Sequence, residues 1–320
     1  MERLLIIGAN GQIGSELVAA LAERHGAAQV IAADIGADNR YGAARYLQLD
    51  VLDKPRLARL IVDENITQVY QLAALLSATA EQAPLKAWQL NMDGLLGVLE
   101  IARERKQAGR PLRVFWPSSI AAFGPHTPAD ATPQYGVMDP SSIYGISKLA
   151  GERLCEYYFQ KYEVDVRSIR YPGIISYKSP PGGGTTDYAI AIFHAALRGE
   201  RYDCFLAADT TLPMIYMPDA IRATLELMDA PAAALKVRSA YNVAGLSFNP
   251  AQLAAAIARA LPDFEIAYAP DARQQIAATW PHSIDDSQAA ADWGWHARIG
   301  MDQLVADMLA NVSVDAGQPA

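Results

Sequence analysis

Short apolar runs, each followed by an amphipathic segment, recur along the first half of the chain. Residues 4–7 are a continuous apolar run of the kind that forms a buried parallel strand, and the second strand is expected at 29–33. Further strand candidates lie at 46–49, 68–72, 113–116 and 165–171. This alternation of strand and helix predicts an α/β fold built on a Rossmann-type, doubly wound parallel sheet.

The alternation stops after Gly173, where a polar turn rich in Gly and Pro follows at 179–186. We interpret this turn as a loop that closes over a substrate cleft, the alternative being a plain connection. A strand and a helix that begin near residue 212 are expected to rejoin the first domain. The predicted units are an NAD-binding domain at 1–172 (rejoined by about 213–245), a smaller C-terminal α/β substrate lobe at 173–212 and 246–312, and a flexible tail at 313–320.

A glycine pattern joins the first strand to the first helix. Gly8, Gly11 and Gly14 form a G-x-x-G-x-x-G motif, which allows a tight turn and close approach of a pyrophosphate to the helix N-terminus. Asp34 ends the second strand, 20 residues beyond Gly14. A carboxylate there binds the ribose hydroxyls of NAD and repels the 2′-phosphate of NADP. The pattern predicts NAD binding, and a glycine turn that only packs is the alternative.

Polar residues follow other strand ends, which is where such sheets bind ligands. Asp50 is expected beside the adenine, or alternatively as a surface residue that opens the next helix. Ser77 and Thr79 follow the fourth strand in a predicted loop. Ser118 and Ser119 end the fifth strand, where either one binds a substrate hydroxyl or caps a turn.

Tyr144 and Lys148 are four residues apart, so a helix places them on one face. A Lys ammonium near a phenol favours the phenolate and lowers the pKa of the Tyr. Such a phenolate acts as a general base toward an alcohol. Alone, this spacing is more typical of a solvated helix face; the glycine turn, Asp34 and the serine pair favour the catalytic interpretation.

Charge and composition narrow the function classes. The formal net charge is −8 without a block of Lys and Arg, which argues against nucleic acid as a partner. No apolar run reaches the ~18 residues of a membrane span, and the strand near the N-terminus leads us to expect no cleavable signal. Cys155 and Cys204 are the only cysteines, and the five His are scattered, so we expect no disulfide framework, no metal site and a cytoplasmic location.

The assembled motifs resemble those of the extended short-chain dehydrogenases/reductases. The residues that carry this resemblance are Gly8, Gly11, Gly14, Asp34, Asp50, Val51, Leu72, Ala73, Ala74, Asn91, Ser119, Tyr144, Lys148 and 171–173. Within that superfamily, residues 170–188, 209–219 and 280–286 resemble the short-chain type of L-threonine 3-dehydrogenase. Three positions depart from the broader pattern: Ile7 replaces a usual Thr, Gln71 a usual His, and Met214 the Arg of nucleotide-sugar enzymes.

The resemblance implies NAD-dependent oxidation of the C3 hydroxyl of L-threonine to 2-amino-3-oxobutanoate. Tyr144 is then the base, Lys148 binds the nicotinamide ribose and lowers the pKa of Tyr144, and Ser119 orients the hydroxyl. The expected cofactor contacts are Gly8, Asn10, Gly11, Gln12, Ile13, Gly14, Asp34, Asp50, Val51, Leu72, Ala73, Ala74, Asn91, Ser118, Tyr144, Lys148 and Tyr171. The expected substrate contacts are Ser77, Thr79, Ser119, Tyr144, Thr185 and Thr186.

Two other classes share this fold. A nucleotide-sugar epimerase or dehydratase uses the same Ser, Tyr and Lys but needs a basic pocket for a diphosphate, and the second lobe offers only isolated residues such as Lys178, Arg198 and Arg201. A non-catalytic NAD-sensing protein predicts a degraded catalytic set, which is not seen. The resemblance also implies a homodimer formed through helices at 91–105 and 144–158.

Overall fold

A seven-stranded, fully parallel sheet lies at the centre of the computed structural model, which describes residues 2–39 and 44–313. Its spatial order is β10-β6-β5-β4-β1-β2-β3, so the winding direction reverses at β1 and β4. The predicted doubly wound Rossmann-type sheet is therefore confirmed. The strands are β1 (Leu4–Ile7), β2 (Val30–Asp34), β3 (Arg45–Gln48), β4 (Gln68–Gln71), β5 (Arg113–Ser119), β6 (Val166–Tyr171) and β10 (Tyr241–Asn242).

Helices cover both faces of this sheet. On one face lie α1 (Gln12–His25) and α8 (Met217–Asp229), and on the other lie α2 (Lys54–Asp63), α5 (Gly94–Gln107) and α6 (Ile143–Tyr162). Alternate residues of β1 serve the two faces, because successive side chains of a strand point in opposite directions. Leu4 and Ile6 join the core under α1 and α8, whereas Leu5 and Ile7 join the core under α2, α5 and α6. Burial on both faces explains the continuous apolar run.

The second lobe contains two small sheets. The three-stranded sheet has the order β11-β9-β7, and β8 pairs in parallel with β12. Its core joins that of the first unit, because it includes Tyr144 and Phe123 as well as lobe residues such as Phe193. The remaining strands are β7 (Gly173–Ile175), β8 (Tyr202–Cys204), β9 (Leu212–Tyr216), β11 (Leu246–Phe248) and β12 (Ile266–Tyr268). The remaining helices are α3 (Ser77–Gln82), α4 (Pro84–Trp88), α7 (Tyr188–Leu197), α9 (Pro250–Ala258), α10 (Ala272–Ala277), α11 (Ser287–Trp293) and α12 (Met301–Asn311).

The chain returns to the first unit as expected except in one element, the strand at 212–216. The strand at 212–216 pairs in parallel with β7 and antiparallel with β11, so it belongs to the second sheet. The chain rejoins the main sheet through α8, which packs on α1 and β6, and through β10, which pairs with β6. Pro172 separates β6 from β7. Because proline has no N–H, the ladder of β6 ends there and β7 starts a second sheet.

One local expectation is corrected, because Ser77 and Thr79 lie on helix α3 rather than in a loop. Helix α1 begins at Gln12. β5 continues to Ser119, because its register with β6 extends to the pair Ser119 and Tyr171. Of the predicted tail, all but Ser313 lies outside the described residues. None of the helices in the described ranges is long and apolar enough to cross a membrane.

Candidate active site

The turn between β1 and α1 is packed too closely for side chains. Gly8 has a φ of +82°, and a Cβ there would lie 2.6 Å from the backbone nitrogen of Ala73. A Cβ on Gly14 would lie 2.2 Å from the carbonyl oxygen of Gly8. No side chain caps the N-terminus of α1 at Gly11. The free N–H groups of that first turn and the close backbone make a cradle that fits an anionic pyrophosphate.

A cavity of about 390 Å³ opens beside this turn, at the carboxyl ends of β1, β2 and β4. The carboxylate of Asp34 lies at its edge, where it accepts hydrogen bonds from the N–H groups of Asn10 (2.9 Å) and Gly36 (3.3 Å). Asp50 lines the cavity and also accepts from the N–H of Leu52 at 2.9 Å. The side chain that caps the next helix, α2, is that of Asp53 rather than Asp50. The position of Asp50 beside an adenine stays a prediction. The lining residues are Ile7, Gly8, Asn10, Gly11, Asp34, Ile35, Leu49, Asp50, Val51, Leu72, Ala73, Ala74, Leu75 and Leu90.

Asn91 lies outside this cavity and serves the backbone instead. Its side-chain oxygen accepts from the N–H of Leu75 at 2.9 Å, and its amide donates to the carbonyl of Leu75 and to Ser147. It sits in a π-helical turn at Gln89–Asp93 and is only 3% exposed. The Asn91 side chain thus links the segment after β4 to helix α6 through hydrogen bonds. The position of Asn91 in the motif did not predict this role.

A second, smaller cavity of about 150 Å³ lies between the end of β5, the start of α6 and the loop before α7. It brings together most residues predicted for the reaction, while Tyr171 contributes its ring and gives its hydroxyl to Thr224. Thr79 is not among them, because it points outward from α3 toward Gly183. The lining residues are Gln12, Ile13, Leu72, Ala74, Leu76, Ser77, Pro117, Ser118, Ser119, Ile120, Tyr144, Lys148, Tyr171, Pro172, Gly173, Ile174, Gly184, Thr185, Thr186, Asp187 and Trp280.

Tyr144 and Lys148 are held on the first two turns of α6. The Ser142 hydroxyl caps the helix by accepting the N–H of Gly145 at 3.0 Å. Lys148 is 2% exposed, and its Nζ donates to the carbonyl of Pro117 at 2.6 Å. The ammonium also lies 4.6 Å from the centre of the Trp116 ring. The helix and the strand end therefore fix the cation from two sides.

Burial controls the ionisation of both groups. It raises the pKa of Tyr144 to about 12, against a hydrogen bond from Ser119 that lowers it. It lowers the pKa of Lys148 to about 7, against the charges of Cys155 and Glu152, which raise it. The expectation that Lys148 lowers the pKa of Tyr144 is wrong for this arrangement. The reason is geometric: the ammonium points at the Pro117 carbonyl, and it lies 5.3 Å from the centre of the phenol ring.

Two lining residues were missed by sequence reasoning. Asp187 follows the predicted threonines, and its carboxylate accepts from the N–H of Gly184 at 2.7 Å. Burial raises the pKa of Asp187, while backbone N–H groups of the preceding glycines oppose the shift. Trp280 opens the run 280–286, which is anchored by hydrogen bonds such as that from the N–H of His282 to Ala129 at 2.8 Å. Asp187 directly follows the polar turn at 179–186, and Trp280 opens the run at 280–286. These runs were the sequence signal that could have predicted both residues.

No group of three or more His, Cys, Asp and Glu in the described part of the chain is arranged to hold a metal ion. The donor groups of the two cavities are instead backbone N–H groups, hydroxyls and single carboxylates. A glycine cradle at the switch point of a parallel sheet, next to a buried Tyr–Lys pair, defines a Rossmann-type enzyme that uses a dinucleotide.

Comparison with known proteins narrows this class. Residues 4–244 match the NAD dependent epimerase/dehydratase family. The chain is 42% identical over 311 residues to a mitochondrial L-threonine 3-dehydrogenase from Bos taurus, which covers 96% of this chain and 82% of the relative. A holo structure of an L-threonine dehydrogenase from Cupriavidus necator is 60% identical, with a TM-score of 0.94 over 97% of this chain and 100% of that one. A monomeric L-threonine 3-dehydrogenase of metagenomic origin is 43% identical, with a TM-score of 0.92 over 97% and 98%.

The chain belongs to the NAD dependent epimerase/dehydratase family. This membership confirms the predictions of an enzyme and of NAD as its cofactor. It also agrees with the glycine cradle and with the carboxylate of Asp34 at the edge of the larger cavity.

The buried ammonium of Lys148 has a measurable effect on stability. Its pKa is about 7 in the fold, against about 10.4 in an unfolded chain. The unfolded chain therefore binds more protons between these values, and the free energy of unfolding rises with pH in this window. We expect Lys148→Met to lack this rise, which amounts to about 2 kcal/mol between about pH 7.5 and 9. Urea denaturation without NAD at both pH values measures it.

The matched control is Lys161→Met, which removes an exposed Lys from the same helix. This variant should keep the pH dependence of the wild type. Equal pH dependence in the wild type and in Lys148→Met would contradict the lowered pKa.

Proposed function

We propose that the protein is an NAD-dependent L-threonine 3-dehydrogenase, which oxidises the C3 hydroxyl of L-threonine to 2-amino-3-oxobutanoate as a step of threonine catabolism. The observation that carries the proposal is the small second cavity, whose lining combines Tyr144 with Thr185, Thr186 and Asp187. Its volume of about 150 Å³ is below the roughly 300–1,000 Å³ of sites for drug-sized ligands. A short polar substrate with an alcohol fits this space.

Proton transfer falls to Tyr144. The phenolate takes the proton of the C3 hydroxyl, while the bonding electrons of the O–H bond form the carbonyl. NAD, held by the glycine cradle, would supply the acceptor for the hydride that leaves C3. Ser119 lines the same cavity as Tyr144 and lowers the pKa of its phenol, so its hydroxyl orients the substrate oxygen toward the phenol.

Lys148 works from the cofactor side of the cavity. One N–H of its ammonium is taken by the Pro117 carbonyl, which leaves the others to bind the nicotinamide ribose. With a pKa of about 7, the group is charged in a large share of molecules near neutral pH. In that state its charge lies 5.3 Å from the centre of the Tyr144 ring.

The substrate loop supplies the groups that distinguish an amino acid. Asp187 is the carboxylate in the cavity lining, and we assign it to the substrate ammonium. Thr185 is 1% exposed and lies 3.5 Å from Ser77 between their hydroxyl oxygens. These hydroxyls and that of Thr186 receive the substrate carboxylate. In the proposed division, the lobe at 173–212 and 246–312 thus contributes the substrate side of the site.

The nucleotide-sugar alternative is less well supported. Such a substrate needs cations for its diphosphate, and the basic residues of the second lobe are engaged in ion pairs, as three of them show. Lys178 pairs with Glu16 at 3.2 Å, Arg198 with Glu200 at 2.7 Å, and Arg201 with Asp203 at 3.1 Å. Trp280 also lines the small cavity and limits its size.

The decisive experiment follows NADH absorbance when the purified protein is mixed with NAD and L-threonine. We expect a rise that is specific for L-threonine and NAD, with L-serine, L-allo-threonine and NADP as controls. Tyr144→Phe should lower kcat by about 10²- to 10⁴-fold, because a general base is lost, while NAD binding persists. Absence of NADH, together with a melting temperature that rises with a nucleotide sugar, would support the epimerase class instead.

Asp187→Asn tests the ammonium contact. The Asn oxygen still accepts the N–H of Gly184, but the charge is lost. A hydrogen bond to a charged group contributes about 1.5–3 kcal/mol, so KM for L-threonine should rise by about 10- to 100-fold with KM for NAD unchanged. Steady-state kinetics measure both constants. Asp203→Asn, an exposed carboxylate of the same lobe, is the control; an unchanged KM in Asp187→Asn would refute the contact.

We also propose a homodimer that uses α4 and α6. Leu85 is 87% exposed and Trp88 40% on α4, and Ile146 and Tyr157 are 42% and 49% exposed on α6. These side chains share one side of the molecule, because α4 packs against α6. Sedimentation velocity should show a dimer for the wild type and a monomer for Leu85→Asp combined with Ile146→Asp. A wild-type monomer would refute the dimer.

A further inference from the structure

The face of α6 that carries Tyr144 and Lys148 continues to a third polar residue, Glu152. The three are spaced four residues apart, so they lie on successive turns of one helix face. Glu152 is fully buried and does not line either cavity of the site. We infer that Glu152 is a positioning residue for the Tyr144–Lys148 pair, acting through Ser118 at the end of β5. This inference rests on the proposed role of that pair.

Three consecutive residues of β5 contact the three polar residues of α6. The carbonyl of Pro117 accepts from Lys148 at 2.6 Å, and the hydroxyl of Ser118 donates to Glu152 Oε1 at 2.6 Å. Ser119 lines the small cavity with Tyr144, and its hydroxyl lowers the pKa of the phenol. The hydrogen bond between Ser118 and Glu152 therefore holds Ser118 in place. The residues on either side of Ser118 are Pro117, which binds the Lys148 ammonium, and Ser119, which lies beside the Tyr144 phenol. A shift of Ser118 along the helix would displace both of these contacts.

The carboxylate of Glu152 is held in turn by the neighbouring strand. Arg170 lies directly opposite Ser118 in the ladder of β5 and β6. Its Nε donates to Oε1 of Glu152 at 2.9 Å, and its Nη2 donates to Oε2 at 2.8 Å. Its Nη1 donates to the carbonyl of Gln134 at 2.8 Å and to Oδ1 of Asn242 at 3.0 Å. Both oxygens of Glu152 are thus occupied, and the network spans α6, β5, β6 and β10.

The simpler explanation of the Glu152–Arg170 pair is a purely structural role. The charge of Glu152 distinguishes that role from a positioning role. Burying an ion pair is costly, and it contributes little net stability even when it is well satisfied. The charged or titratable groups near Lys148 are Tyr144, Glu152 and Cys155 on its own helix, with Arg170 reaching it from β6 only through Glu152. Glu152 therefore supplies negative charge that favours the ammonium. A structural pair would alter stability alone, whereas a positioning residue also alters kcat and its pH dependence.

Two variants separate these roles. Ser118→Ala removes the link to β5 and keeps the pair of Glu152 with Arg170, so the protein should fold. We expect kcat to fall by about 10- to 100-fold, with the Kd for NAD within about threefold of the wild type. Glu152→Gln should move the pH profile of kcat to lower pH by about one unit, because loss of a negative charge lowers the pKa of Lys148.

Asp165→Asn is the matched control, because it cuts another partly buried ion pair at the opposite end of β6. It should lower stability without moving kcat or its pH profile. A wild-type kcat in Ser118→Ala, or a wild-type pH profile in a folded Glu152→Gln, would overturn the inference.

An NMR titration of Lys148 in the protein without substrate measures the effect of the Glu152 charge on the pKa of Lys148. The Lys148→Met variant assigns the signal. The pKa of Lys148 should be lower in Glu152→Gln than in the wild type. This readout does not depend on the substrate. If L-threonine is not oxidised but the pKa falls as expected, the proposed substrate fails and the inference stands.

Discussion

The burial of the Lys148 ammonium at the crossing of α6 and β5 is the constraint on which the site depends. A cation removed from water requires fixed partners, and here they are the Pro117 carbonyl and the face of the Trp116 ring. Meeting that requirement sets the distance between helix and strand. The same crossing places Tyr144 beside Ser119. The contacts that stabilise the Lys148 ammonium therefore also position the groups proposed to transfer the proton.

The cofactor side depends on a different constraint, namely close approach of backbone to backbone. Gly8 and Gly14 bring β1, α1 and the segment after β4 so near that any side chain would collide with a neighbouring chain segment. Gly11, the residue that precedes α1, lines a cavity whose edge carries the Asp34 carboxylate. Family membership agrees with this arrangement.

Residues of the second lobe line the small cavity beside Tyr144. Its lining includes Asp187, two threonines from the same loop, and Trp280. Neither Asp187 nor Trp280 belongs to the glycine turn or to the Tyr144–Lys148 pair. In the proposed function, substrate choice comes from the lobe and general chemistry from the sheet, which agrees with the rule that one fold serves several functions through its sites.

Periodicity and motif spacing were enough to predict the Rossmann sheet, the glycine cradle, Asp34 and the Tyr144–Lys148 pair, because each depends on residues near one another in the chain. Three features required the tertiary structure. Asn91 proved to bind backbone, the strand at 212–216 joined the second sheet, and Lys148 turned toward Pro117. Asp187 and Trp280, 93 residues apart, meet in one cavity. Such contacts and the direction of each pKa shift arise from burial and long-range packing, which local patterns do not encode.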